Sequence, residues 1–299
     1  MLYVYHNDAL TVQPSGFNNT GAICWFNSLL QSMLSCTTLS HAVLYNDNRQ
    51  NEFASEYKEL LLNNIMRPEH HSARLLIAIG RHMRAEGIDS SLGNSQECAH
   101  EGLIYTLDAI GAPAEVFHNE YERIMKCPNC EHTVPIRDKS YYILVDGSDF
   151  NTSGTNGSSN NTSNTSNDPT AITKYIHRHH ELVTEYICEK CRSQNNINRS
   201  EVLRQLRECI ILVFNKFHSK KYIWFPKTLE FDALPRGTKI IYEQMAQIEH
   251  IGGMSGGHYY AIVRRGNQWF NANDNSISPV IQSPTENTFM VFYNITRSV

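Results

Sequence analysis

The chain has 299 residues, enough to bury the core of one large domain or of two small ones. Its 41% apolar and 19% charged residues are typical of a globular protein, and its net charge of −4 indicates no general affinity for nucleic acid or anionic membranes. The sequence contains neither an apolar run long enough for a membrane span nor a secretory signal. We therefore expect an intracellular protein, located in the cytoplasm or nucleus, or in the host cytoplasm if the sequence is viral.

The first part of the chain has helical periodicity. The stretches "SARLLIAIGRHMRAEG" and "ECAHEGLIYTLDAIG" predict two helices, each closed by a glycine. An earlier helix should begin near Cys24, because apolar residues after it recur at spacings of three and four. That spacing predicts one buried helix face, made of Phe26, Leu29, Leu30, Met33 and Leu34.

The middle of the chain carries two CxxC pairs, "CPNC" and "CEKC". Four thiolates suit the tetrahedral coordination of zinc, so we predict one structural Zn²⁺ and no catalytic metal, since no coordination position stays open. Two unrelated turns or a redox dithiol are the alternatives. The gap between the pairs includes residues 147–170, an Asn-, Ser-, Thr- and Gly-rich insertion that we predict to be disordered. The four predicted ligands are Cys127, Cys130, Cys188 and Cys191.

The last part of the chain is rich in β-branched and aromatic residues. Five stretches separated by Gly, Asn, Pro or Ser predict strands, namely "CIILVF", "KYIWFP", "HYYAIVRR", "NQWFNA" and "TFMVFY". A helical first half followed by a β-rich second half favours an α+β fold over a doubly wound sheet.

Cys24 is a candidate nucleophile. A thiol at a helix N-terminus lies at the positive end of the helix dipole, which favours the thiolate. A free cysteine is more often a buried structural residue, however, so a catalytic role needs a base, an orienting group and an oxyanion donor elsewhere in the chain.

His258 is the candidate base. Four glycines precede it in "GGMSGGHYY", so the backbone can approach a substrate closely there. If Gly266 and Asn267 form a two-residue hairpin turn, Asn273 becomes the diagonal neighbour of His258 on the same face. A three-residue loop would reverse the parity and favour Asp274. We prefer Asn273 as the orienting residue.

Asn19, five residues before Cys24, is the candidate oxyanion donor through its side-chain amide. Outside this context it would be an ordinary loop asparagine. A cysteine, a histidine and an asparagine in that chain order match the arrangement of papain-like proteases.

Together these motifs resemble the ubiquitin-specific protease family. "GFNNTGAICWFNSLLQ" is similar to its cysteine box, "GHYYAIVRRGNQWFNAND" to its histidine box and "QECAHEGLIYTLD" to the helix between them. The CxxC pairs fall where the family carries the zinc of its fingers region, and "TFMVFY" resembles its closing strand. The similarity runs from about Gly16 to Tyr293, nearly the whole chain.

The resemblance implies a papain-like fold with thumb, palm and fingers, and hydrolysis after the C-terminal glycine of ubiquitin through a thioester. We expect a leader at 1–14 and one catalytic domain at 15–299, divided into a thumb at about 15–112, fingers at about 115–205 and a palm at about 206–299. The implied catalytic residues are Cys24, His258, Asn273, Asn19 and, as a second acidic position beside the triad, Asp274. The residues expected to line the channel for the ubiquitin tail are Gln96, Glu101, Tyr259 and Gly257.

Five residues depart from the family pattern, and two of them, Ala22 and Ile23, replace the usual Asn-Thr before the cysteine. Cys98 replaces an aspartate that can pair with an arginine of the ubiquitin tail, while Gly102 and Ala272 each replace a phenylalanine. None of them removes a catalytic group. Ubiquitin and ubiquitinated proteins are therefore the expected partners of a monomeric enzyme that binds neither nucleic acid nor membranes.

Three other functions are considered. The departures favour an inactive ubiquitin-binding relative or a protease for another ubiquitin-like modifier, against which stands the complete catalytic set. A zinc-ribbon nucleic-acid binder would need a basic stripe with aromatic residues, and the only basic runs are "KYIHRHH" and "KKY".

Overall fold

The computed structural model describes residues 13–46, 51–63, 68–88, 97–146, 171–215, 222–233, 238–253 and 256–298. The insertion predicted to be disordered, residues 147–170, lies outside these ranges, as do Gln96 and residues 1–12 of the predicted leader. Within the described ranges the chain has the predicted α+β composition, with helices mainly in the first half and strands mainly in the second.

Within the described ranges, the first half of the chain forms five α-helices and a short 3-10 helix, and a sixth α-helix follows the insertion. Every residue of the first helix is buried, so the predicted apolar face is buried together with the rest of the helix. The α-helices are α1 (Cys24–Met33), α2 (Thr37–Tyr45), α3 (Glu52–Asn63), α4 (Pro68–Ala85), α5 (Ala99–Ile110) and α6 (Ala171–His177), and the 3-10 helix is Ala112–Phe117.

The strands form two sheets. An eight-stranded central sheet has the order β11-β10-β9-β8-β12-β6-β3, with β7 paired to β8, and a four-stranded sheet has the order β2-β1-β5-β4. The strands are β1 (Asn119–Lys126), β2 (Thr133–Ser140), β3 (Ile143–Asp146), β4 (Arg178–Ile187), β5 (Gln194–Gln205), β6 (Cys209–Asn215), β7 (Thr228–Ala233), β8 (Thr238–Gly253), β9 (Gly256–Arg265), β10 (Gln268–Asn273), β11 (Ser276–Pro279) and β12 (Thr288–Ser298).

One predicted strand is wrong. In the described part of "KYIWFP", residues 222–226 form no strand, and the next strand begins at Thr228. Ile223 and Phe225 are nevertheless buried, and the carbonyl of Pro226 accepts a hydrogen bond of 2.7 Å from the Tyr293 hydroxyl. The aromatic pattern therefore reflects side-chain packing, while Pro226 lacks the N–H that a ladder needs.

The central sheet is covered on both faces. Along β6, Cys209, Ile211 and Val213 join the core that contains α1, whereas the alternate residues Ile210 and Leu212 join a second core. Such alternation is the two-residue period of a strand. Since α1 packs directly on β9, the start of that helix and the start of that strand come together at one place. None of the helices in the described ranges has the length and apolarity needed to cross a membrane.

Candidate active site

Cys24 is the first residue of α1, and its side chain is almost fully buried, with 5% of its surface exposed. Burial raises the pKa of the thiol, the backbone N–H of Tyr259 opposes this by hydrogen bonding to the sulfur, and the charge of Asp274 raises the pKa further. The position at the helix N-terminus therefore does not by itself make Cys24 a thiolate, because desolvation outweighs the donors.

The β9–β10 hairpin brings His258 and Asn273 together. Arg265 pairs with Gln268, which confirms the predicted two-residue turn. With that parity, His258 Nε2 lies 2.6 Å from Asn273 Oδ1. An amide oxygen only accepts, so Nε2 carries the proton and Nδ1 is left with a lone pair. The ring is thus held in the tautomer that a base needs.

The Cys24 thiol, at the start of α1, meets β9 at the residue next to His258. Tyr259, whose N–H contacts the Cys24 sulfur, directly follows His258. Among the residues that the structure describes, no hydrogen bond joins the Cys24 thiol to the His258 ring. The candidate base His258 and the candidate nucleophile Cys24 therefore lie close together, but no hydrogen bond joins them.

Asp274 organises the loop before Cys24. Its carboxylate accepts hydrogen bonds from Asn19 Nδ2 at 3.0 Å and from Asn27 Nδ2 at 2.8 Å. In return, Asn19 Oδ1 accepts from the backbone N–H groups of Gly21 and Ile23 at 3.2 and 3.3 Å. These bonds direct the Asn19 amide nitrogen towards Asp274 and fix the loop that leads into α1.

Sequence reasoning missed Asn27. It lies three residues after Cys24 and is 1% exposed, with its amide nitrogen also 3.4 Å from the carbonyl of Asn18. Residues three apart share a helix face, so this spacing was the available signal that the amide and the thiol would face the same loop.

Comparisons with known proteins agree with this geometry. The sequence model described as "Ubiquitin carboxyl-terminal hydrolase" matches residues 15–293. This chain belongs to that family. It is 23% identical over 318 residues to mouse ubiquitin carboxyl-terminal hydrolase 17-like protein A, covering 93% of this chain and 56% of the mouse protein. The Arabidopsis thaliana ubiquitin carboxyl-terminal hydrolase 10 is 26% identical over 129 residues, 38% of this chain and 14% of that protein.

The fold is also similar to that of solved structures. The chain superposes on the SAGA DUB module of Ubp8, Sgf11, Sus1 and Sgf73 bound to monoubiquitin with a TM-score of 0.71 at 17% identity, covering all of this chain and 72% of the matched chain. The chain thus has the papain-like fold of the ubiquitin-specific proteases. The chain spans little more than half the length of its mouse relative.

Three of the four predicted channel residues lie in the described ranges. Glu101 is exposed in the first turn of α5, whereas Tyr259 is buried and its ring stacks on His250 at a centroid distance of 4.3 Å. A Cβ built on Gly257 would overlap the His250 ring and the carbonyl of Ile251. Glycine is therefore required at 257 by local packing.

The structure shows the surroundings of three residues that depart from the family pattern, Gly102, Ala272 and Cys98. A Cβ at Gly102 would overlap the six-membered ring of Trp25, so the large ring on α1 occupies the space left by the glycine on α5. Ala272 is buried in the core that contains α1. Cys98 precedes the first residue of α5 and contacts the hydroxyl of Tyr259, whose pKa is raised mainly by burial.

The four predicted metal ligands form one cluster. Their sulfur atoms all lie within 4.8 Å of one another, with Cys127 and Cys191 at 3.7 Å and Cys130 and Cys188 at 3.7 Å. A tetrahedron with metal–sulfur bonds of about 2.3 Å has edges of about 3.8 Å, so the set fits one ion. The cluster can hold a structural metal ion.

The two cysteine turns have the same backbone form. Each joins two strands of the four-stranded sheet, β1 to β2 and β4 to β5. The residue after the second cysteine has a positive φ in both, 56° at Glu131 and 59° at Arg192. Its N–H donates to the carbonyl of the first cysteine, at 3.0 Å from Glu131 and at 2.9 Å from Arg192. The matching turns present two pairs of thiols to one point.

Proposed function

We propose that this protein is a cysteine deubiquitinase that hydrolyses the isopeptide or peptide bond after the C-terminal glycine of ubiquitin. One observation carries the proposal, namely a thiol at the start of a buried helix beside a histidine whose ring is held by Asn273. The family membership supports ubiquitin as the substrate.

The first half of the reaction forms a thioester. His258 Nδ1 takes the proton of Cys24, and the thiolate attacks the carbonyl carbon of the last glycine of ubiquitin. This transfer is needed because burial raises the pKa of the Cys24 thiol. The imidazolium then gives its proton to the leaving lysine amine, and Asn273 Oδ1 keeps the ring oriented throughout.

The tetrahedral intermediate develops a negative oxygen. We assign its stabilisation to the Asn19 amide and the backbone N–H of Cys24, with Asp274 and Asn27 holding the loop. One such donor is worth on the order of 2.7–4 kcal/mol of barrier. In the second half of the reaction, His258 removes a proton from a water molecule. The water then attacks the thioester carbonyl, and hydrolysis frees Cys24.

The remaining assignments follow the same proposal. Helices α1 to α5 serve as the thumb at about 15–112, the cysteine-bearing strands as fingers at about 115–205, and the rest as the palm at about 206–299. Zn²⁺ is the proposed ion of the four-cysteine cluster. Gln96, Glu101, Tyr259 and Gly257 are proposed to line the tail channel of a monomeric enzyme that acts inside the cell.

The test is covalent capture by ubiquitin carrying a C-terminal alkyne warhead. Wild type is compared with Cys24→Ala and with Cys98→Ala, a matched control that removes a partly exposed thiol near Tyr259. We expect an adduct in wild type and Cys98→Ala and none in Cys24→Ala. Hydrolysis of a fluorogenic ubiquitin substrate should follow the same order.

Two results would contradict the proposal. Folded wild type that binds ubiquitin without forming an adduct is a ubiquitin reader. Labelling only by probes with the tail of another ubiquitin-like modifier would assign a different substrate.

A further inference from the structure

Two cysteines outside the active site and the metal cluster are in contact. Cys36 Sγ and Cys209 Sγ lie 2.9 Å apart, although 173 positions separate the residues. Both side chains are fully buried. Cys36 is the N-cap of α2, one short turn after the helix that begins with Cys24, and Cys209 begins β6 of the central sheet. The contact therefore joins the end of the catalytic helix to the sheet.

Polar groups enclose this dithiol. The Thr38 hydroxyl lies 2.9 Å from Cys209 Sγ, and Asn294 Oδ1 lies 3.4 and 3.3 Å from the two sulfurs. The backbone N–H of Leu39 donates to Cys36 Sγ at 3.4 Å. Burial acts to raise the pKa of Cys36, but hydrogen bonds from Cys209, Thr38 and Leu39 outweigh it, so its pKa is lowered. Burial raises the pKa of Cys209. The lowered pKa gives Cys36 the larger thiolate fraction of the two.

The spacing differs from that of the metal cluster, where the paired sulfurs lie 3.7 Å apart. At 2.9 Å, Cys36 and Cys209 are too close to share a metal ion. A disulfide bond measures about 2.05 Å, so the two sulfurs have to approach each other by about 0.9 Å to form one.

We propose that Cys36 and Cys209 are an oxidative modification site that peroxide converts reversibly to a disulfide. The Cys36 thiolate attacks one peroxide oxygen, the O–O bond breaks, and Cys36 becomes a sulfenic acid. The Cys209 sulfur then attacks the Cys36 sulfur, the S–S bond forms, and the hydroxyl leaves as water. Two thiols and one hydrogen peroxide thus give one disulfide and two waters, and a thiol reductant restores both cysteines.

The disulfide would close a long loop between the helical half and the central sheet. Crosslinks of this kind stabilise mainly by restricting the unfolded chain, more so for longer loops. The oxidised protein should therefore unfold at a higher temperature than the reduced protein. A shift on the order of 5 °C is expected for a chain of this size.

The test uses the full metal-loaded chain treated with a small excess of hydrogen peroxide. Remaining thiols are blocked with N-ethylmaleimide in denaturant, and unreduced peptides are mapped by mass spectrometry. We expect a crosslinked peptide that contains Cys36 and Cys209, together with a rise in Tm that dithiothreitol reverses. Cys209→Ser and Cys36→Ser keep a hydroxyl near Thr38 and Asn294 and serve as matched controls.

The peroxide experiment has one result that supports the inference and two that overturn it. The inference holds if the crosslink forms in wild type and if both serine variants lose the Tm shift. It is overturned if peroxide oxidises Cys24 while both thiols are still recovered as maleimide adducts, or if each is oxidised separately without a crosslink. Because wild type carries the mapping experiment, a variant that folds poorly does not decide the result.

Discussion

Asp274 affects Cys24, the proposed nucleophile, in two opposing ways. Its carboxylate holds the amides of Asn19 and Asn27 and so shapes the loop before Cys24. The same charge raises the pKa of Cys24 and so disfavours the thiolate. The same carboxylate that fixes the loop therefore lowers the thiolate population of Cys24, and in the proposed mechanism His258 compensates by taking the thiol proton.

Replacing Asp274 with asparagine separates these effects. With the negative charge removed, the pKa of Cys24 should fall and alkylation by iodoacetamide at neutral pH should accelerate. Hydrolysis of ubiquitin should slow by about 10²-fold or more, because Asn19 loses its charged acceptor. The measurement is the alkylation rate against pH for both proteins. An unchanged or raised midpoint in Asp274→Asn would contradict the electrostatic role.

Asn273→Ala is the control for this experiment. It leaves the Asp274 charge in place and removes the hydrogen bond to His258. Turnover should therefore fall, while the alkylation midpoint of Cys24 should stay near that of wild type.

At the scale of elements, α1 packs against α5 where the large Trp25 of α1 meets the small Gly102 of α5. Gly102→Ala adds a methyl group against the Trp25 ring. Overpacking costs about 1–3 kcal/mol, and the gain in helix propensity recovers only about 1 kcal/mol. We expect a net loss of stability, measured by urea unfolding. In a Trp25→Leu background the same change should become neutral or stabilising, and an equal loss in both backgrounds would exclude the contact as the cause.

The strands of the four-stranded sheet are joined by a buried carboxylate. Glu201 accepts a hydrogen bond of 2.9 Å from Arg123 Nε and contacts Arg199 at 3.1 Å and His179 at 3.3 Å. Burial alone would raise its pKa, but the hydrogen bonds and positive charges of His179 and Arg123 lower the pKa to about 2.

This shift predicts a defined pH dependence. A carboxylate with a lowered pKa stabilises the fold above its ordinary value of 4.5 and loses that contribution as the pH falls towards 2. Glu201→Gln lacks this contribution at all pH values. Urea unfolding from pH 7 to pH 2 should therefore show the two stability curves converging below about pH 4.5. Parallel curves over that window would exclude Glu201 as the titrating group.

The elements differ in how well the sequence predicts them. The start of α1 at Cys24 and the turn at Gly266 and Asn267 follow from periodicity and turn chemistry within a dozen residues, and both were predicted. Residues 222–226 were wrongly predicted as a strand, because a segment that only packs against a core has the same apolar pattern as a strand that pairs in a sheet. The Asn27–Asp274 contact spans 247 positions, and one sequence carries no signal for which distant residues meet.

At the scale of the whole molecule, stability is unevenly distributed. The two hydrophobic cores lie between the helices and the central sheet and on the opposite face of that sheet. In contrast, β2 is mostly exposed along its length. We therefore predict that the end of the four-stranded sheet at the cysteine turns is stabilised by a metal ion at the four-cysteine cluster rather than by apolar burial.

Removing the proposed metal ion should loosen this end of the molecule and spare the rest. Without an ion, four thiols lie within 4.8 Å of one another, and the turns that present them lose their common anchor. After treatment with a chelator, we expect faster amide exchange at 119–140 and 178–205 and a lower Tm. Exchange in β6, β8 and β12 should stay slow because those strands are buried between two cores. Cys191→Ser should reproduce the pattern without chelator, and uniform acceleration across the chain would instead mean that the metal stabilises the whole fold.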